Sequence, residues 1–157
     1  MKKLIMVLLI SLAILLSSCG GLSELPFVII SKQTLTANGE NSTQRIIVVT
    51  QTPSHIPEIS PEDLSALMNV DYSKDVAFVI FFDYYNSKIT KISQFKALIG
   101  NLTIWVQANF QASTTNIGFV NYQILTIKRE LINGRGNVLV RLLDDSFQEK
   151  NSVSFVN

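Results

Sequence analysis

Cysteine is nearly missing from this 157-residue chain, which has Cys19 alone, and histidine is as scarce, with His55 alone. A lone cysteine excludes an internal disulfide, so the fold must be held by apolar burial and backbone pairing. One histidine and one cysteine cannot supply the usual zinc set within one chain. There is no glycine-rich phosphate loop, serine nucleophile elbow or dinucleotide fingerprint, and no internal repeat. Charge of one sign is missing too: 13 Lys and Arg face 12 Asp and Glu, without any basic cluster beyond the first residues. That balance argues against a nucleic-acid partner or an electrostatic membrane patch. The expectation is a noncatalytic chain with no cofactor and no metal.

What is present begins at the amino terminus. Met1-Lys2-Lys3 is basic, and Leu4 to Leu16 is apolar except for Ser11. Thirteen helical residues at about 1.5 Å each reach only about 20 Å, against a hydrocarbon core of about 30 Å. The order is that of a cleaved secretory signal. It ends in Leu16-Ser17-Ser18-Cys19, then Gly20-Gly21, and these residues resemble the lipobox of bacterial lipoproteins. The resemblance implies a diacylglyceryl thioether on Cys19, cleavage before it and acylation of the new amino terminus, so that the membrane is the first partner. The alternative is an ordinary secreted protein with a stray cysteine near its cleavage site. A lipid-anchored envelope location follows from the lipobox: the outer leaflet of the cytoplasmic membrane in a one-membrane bacterium. In a two-membrane bacterium, Gly20 in place of aspartate resembles the pattern sent to the outer membrane.

Removing residues 1–18 from the 157 leaves 139, enough for one domain with its own core. Residues 19–24 read as the lipidated cysteine and a short linker, and 25–157 as a single domain. Its strand signals are Pro26 to Leu35, Arg45 to Gln51, Val76 to Tyr85, Leu102 to Phe110, Tyr122 to Arg129 and Val138 to Leu143, all rich in β-branched and aromatic residues. Leu102, Ile104, Val106, Ala108 and Phe110 alternate with polar neighbours, which predicts one buried face and places Trp105 on the wet one. Val76 to Phe82 is apolar without a break and reads as a central strand covered on both faces. Lys88 to Leu98 alternates weakly, with a slip near Ile92 that suggests a bulge. Gly100-Asn101 and Asn133-Gly134 read as hairpin turns, which makes the chain mainly a meander. Val153 to Val156 adds an edge strand or frays.

Ser60 to Met68 carries a helix signal: a capping serine, Pro61 at the first helical position, acidic Glu62 and Asp63 in the first turn, and a Leu64, Leu67, Met68 stripe. The predicted class is therefore mainly β (α+β): an antiparallel sheet, sandwich or partly open barrel of about six to eight strands, with one short helix near 61–68.

Candidate chemistry is thin. His55 lies between Pro53 and Pro57 and reads as a rim residue. Asp144, Asp145 and Glu149 offer hard oxygen ligands, but their spacing matches no calcium loop of the EF-hand kind and reads as a solvated acidic turn. Asp83 is the carboxylate expected to be partly buried. Trp105, Tyr84 and Tyr85 are the candidate partner contacts, with a lid at Gln111 to Gly118 as the alternative fate of Trp105.

From Ile47 to about Lys128 the order of IIVVTQTP, ISPEDLSALMNVDYSKD, VAFVIFF, LIGNLTIWVQANF and NYQILTIKRE resembles the C-terminal domain of the protease-complex subunit family. The family's glycine-bearing turn after the central strand has no counterpart in Asp83 to Lys88. The resemblance implies a noncatalytic accessory domain whose partner is another envelope or surface protein. A protease inhibitor that inserts a loop or an edge strand, a carrier of a small apolar ligand and an unrecognised hydrolase stand as the alternatives.

Overall fold

A computed structural model describes residues 22–36, 44–82, 87–96, 102–110, 119–132 and 136–157. Among them are nine strands and one α-helix: β1 (Leu22–Glu24), β2 (Val28–Thr36), β3 (Arg45–Val49), α1 (Pro61–Met68), β4 (Asp75–Phe82), β5 (Lys88–Lys96), β6 (Leu102–Asn109), β7 (Phe119–Lys128), β8 (Asn137–Leu143) and β9 (Glu149–Val156). They form two sheets, ordered β1-β5-β6-β8-β9 and β2-β7-β4-β3. The fold is mainly β, consistent with a sandwich, and among the described residues the two sheets do not close into a barrel. At one side the two edges approach, where the Ile46 amide donates to Asn151 Oδ1 at 3.2 Å. At the other side the chain switches sheets through Leu25–Phe27, with the Leu25 amide donating to the Ile92 carbonyl.

The sequence pattern explains which faces are buried. Even-numbered residues of β4 and β6 and the odd-numbered Leu125 and Ile127 of β7 meet between the sheets, with Val138, Val140 and Leu142 of β8. The opposite face of β4, with Ala77, Val79 and Phe81, joins Tyr122, Ile124, Leu67 and Ile56 in a second core under α1. Hence β4 is buried on both faces, as its unbroken apolar run requires.

Several expectations change. Leu22–Glu24, read as linker, forms a strand antiparallel to β5. The described strands do not form a meander: β7 and β8 lie in different sheets and so do not pair as a hairpin across Asn133-Gly134, which lie outside the described residues, and β6 pairs with β8 in parallel. The slip in β5 falls between Ile89 and Lys91, just before the position expected. Of the two expected fates of the chain end, the edge strand holds: Val153 to Val156 belongs to β9, which pairs with β8 at the edge of its sheet and begins earlier than expected, at Glu149. In α1, Ser60 Oγ accepts from the Asp63 amide as a cap should, but the apolar stripe is narrower than predicted: Leu67 is buried, Leu64 half-buried and Met68 exposed. The expectations for Asp83, Tyr84, Tyr85, Cys19, Gly100-Asn101 and Gln111 to Gly118 lie outside the described residues.

Register gives the sandwich two distinguishable ends. Asn157 accepts from Arg129 and Asn137 pairs with Val156, while Leu102 pairs with both Val138 and Lys96, and Leu22 with Phe95. One end therefore holds the starts of β1, β4, β6 and β8 beside Arg129, with Val28 a few residues above it opposite Thr126. The other end holds the β8–β9 turn and Asn109.

Candidate functional site

On the outer face of the five-stranded sheet, the alternation of β6 turns Thr103, Trp105, Gln107 and Asn109 away from the core. Trp105 is paired across to Ser93 of β5 and stands beside Arg141 of β8. The indole is half-buried rather than free in solvent. Its cover is the ring of Phe147, edge-on at 6.4 Å between centroids and 71° between planes, a preferred geometry for aromatic pairs. Ser93 opposite it is fully buried.

Phe147 comes from the β8–β9 turn, and Asp144 builds that turn. Its Oδ1 accepts the amides of Ser146 and Gln148 at 2.8 and 2.9 Å. The Asp144 carbonyl takes the Phe147 amide, and the Asp144 amide donates to the Gln148 carbonyl. Lys150 Nζ sits 2.9 Å from Oδ2. The bond from Lys150, with the Gln148 amide second, holds the carboxyl below the usual aspartate range. Asn109 Nδ2 donates to Asp145 Oδ2 at 2.7 Å and ties the turn to the end of β6.

The turn closes only if residue 147 adopts φ 61°, a left-handed conformation for which glycine or asparagine is the ordinary choice. Phenylalanine there is strained and 58% exposed. Strained positions cluster at functional sites. Sequence reasoning found Trp105 and missed Phe147. The available signal was Asp-Asp-Ser-Phe between two strand patterns, which marks a turn with an aromatic at its last position.

The acidic residues do not converge. Asp144 pairs with Lys150, Asp145 takes Asn109, and Glu149 lies 3.4 Å from Arg141. Among the described residues no group of three His, Cys, Asp or Glu could hold a metal ion. His55 is exposed at an open depression lined by residues 47–56, among which there is no carboxylate to orient it.

The buried carboxylate of the described fold is Asp63. Tyr122 Oη donates to Asp63 Oδ2 at 2.6 Å and accepts the Ser60 amide at 2.9 Å. Burial first, then the bond to Asp63, pushes the tyrosine pKa up to about 12. Every partner in this cluster belongs to the helix start or to β7, so it locks α1 to the sheet.

Comparison with protein-family models, curated proteins and solved structures finds no match.

Proposed function

We propose that this chain is a noncatalytic envelope lipoprotein, anchored through acyl chains on Cys19, whose sandwich offers Trp105 and Phe147 to another protein of the envelope or surface. The observation that carries the reading is Leu16-Ser17-Ser18-Cys19 at the end of a thirteen-residue, largely apolar run that follows two lysines. Two or more acyl chains, at about 0.8 kcal/mol per buried methylene, give stable anchoring where one is marginal. The aromatic pair supports the partner side, because an aromatic at a strained turn position stabilises the fold little by its conformation. Large rigid rings are typical binding anchors. Phe147 sits at the end of the sandwich opposite Leu22, where β1 starts.

Growth with labelled palmitate tests the anchor. Wild-type protein should take up label and Cys19→Ser should not, while both keep the same β-rich circular dichroism. Unlabelled wild-type protein would sink the reading. The partner is tested by capture from detergent-solubilised envelopes: F147G should release a protein that wild type retains. Equal retention by both rules out the aromatic turn as the contact.

A further inference from the structure

Four apolar residues with large exposed surfaces lie within nine positions of one another, all on the edge where β1 passes into β2: Leu22 at 49%, Val28 at 64%, Ile29 at 47% and Ile30 at 37%. β2 is the edge strand of its sheet, and among the described residues no strand pairs with its outer side. A long apolar edge of this kind invites pairing or covering.

The length of chain before β1 decides what covers it. Only Gly20 and Gly21 separate Cys19 from Leu22, and three residue steps span at most about 10 Å when fully extended. Leu22 is already fixed in the sheet opposite Phe95. A tether this short cannot hold the domain clear of a surface in which Cys19 is embedded. Val28 stands near the same end of the sandwich, opposite Thr126, three residues before Arg129.

We infer that, with Cys19 acylated, the β1–β2 edge rests on the bilayer and Val28, Ile29 and Ile30 lie at the level of the lipid headgroups. This rests on the lipoprotein reading. Deeper insertion is excluded because the free backbone groups on the outer side of β2 need water or headgroup partners. The polar run Ser31, Lys32, Gln33 follows directly, and exposed Lys32 suits an anionic headgroup. Phe147 is far from this edge in both strand order and height, so it stays in water.

The test uses full-length protein with Cys19 acylation verified by intact mass, bound to phosphatidylethanolamine–phosphatidylglycerol vesicles whose acyl chains are brominated near the headgroup. Two single-indole variants are compared, W105F/V28W and W105F/F147W, each checked for unchanged circular dichroism. Bromine quenches only by contact, so V28W emission should fall about twofold or more while F147W emission is nearly unaffected. Equal, weak quenching of both in an acylated, vesicle-bound protein overturns the inference and leaves the lipoprotein reading standing. A blue-shifted but unquenched V28W also overturns it, in favour of a second copy of the chain on this edge. Absence of acyl mass on Cys19 overturns the lipoprotein reading itself, and the inference falls with it.

Discussion

Tyr122 is fully buried with its hydroxyl between the Asp63 carboxylate and the Ser60 amide. Removing that hydroxyl leaves a buried carboxylate oxygen and a backbone amide without their partner. Tyr122→Phe should therefore lower stability by about 1–3 kcal/mol, read as a shifted urea midpoint. The same environment gives a pH dependence. Tyr122 and Tyr72 both have pKa values raised to about 12, in each case first by burial. The unfolded chain ionises these phenols near 10 and the folded one does not. The stability they add is complete below pH 10 and is lost as pH rises through about 12. Tyrosinate absorbance should show two tyrosines ionising together with loss of the circular dichroism signal. In Tyr122→Phe that alkaline transition should involve one fewer phenol.

At the scale of the element, α1 is a short helix whose docking depends on very few side chains. Eight residues are too few to be helical alone in water, so the Ser60 cap and tertiary contact decide its stability. Leu67 is fully buried against Val79, Phe81 and Ile124, while Met68 is half exposed. Leu67→Ala should cost about 2–5 kcal/mol and Met68→Ala less than about 0.5 kcal/mol. Equal losses from the two would mean that the helix docks by its other face. The strands were legible for a local reason: side chains alternate across a sheet, so the period-two pattern of β6 announces its buried face without knowledge of any partner. The stripe on α1 was less so, because the position of a helix over a sheet decides which of three apolar residues meets it.

For the whole molecule, Arg129 joins segments distant in sequence. Its guanidinium donates to the Tyr72 carbonyl at 3.1 Å, the Thr50 carbonyl at 3.1 Å and Asn157 Oδ1 at 2.6 Å. It thus ties the exit of β3, the α1–β4 connection and the end of β9 to β7. A lysine keeps the charge but cannot span three acceptors in a planar fork. Arg129→Lys should lower stability by about 3 kcal/mol. The whole unfolding transition should move, with its slope unchanged, because the clamp joins both sheets. A separate early transition of β9 would show instead that the clamp serves the chain end alone.

The sequence by itself determined the elements: six strong strand signals, the Ser60-capped helix, the doubly buried β4 and, from its lone cysteine, the absence of an internal disulfide. Each rests on residues close together in the chain, where periodicity, capping and turn chemistry act. Only the tertiary structure decided that β6 and β8 run parallel, that β7 and β8 belong to different sheets, and that Leu22–Glu24 is a strand. It also decided that Asp63 meets Tyr122 across 59 residues, and that Phe147 covers Trp105. These are choices of partner between segments with similar patterns. An alternating strand fits many neighbours equally well, so the choice comes from the joint packing of two cores, which no local stretch of sequence contains.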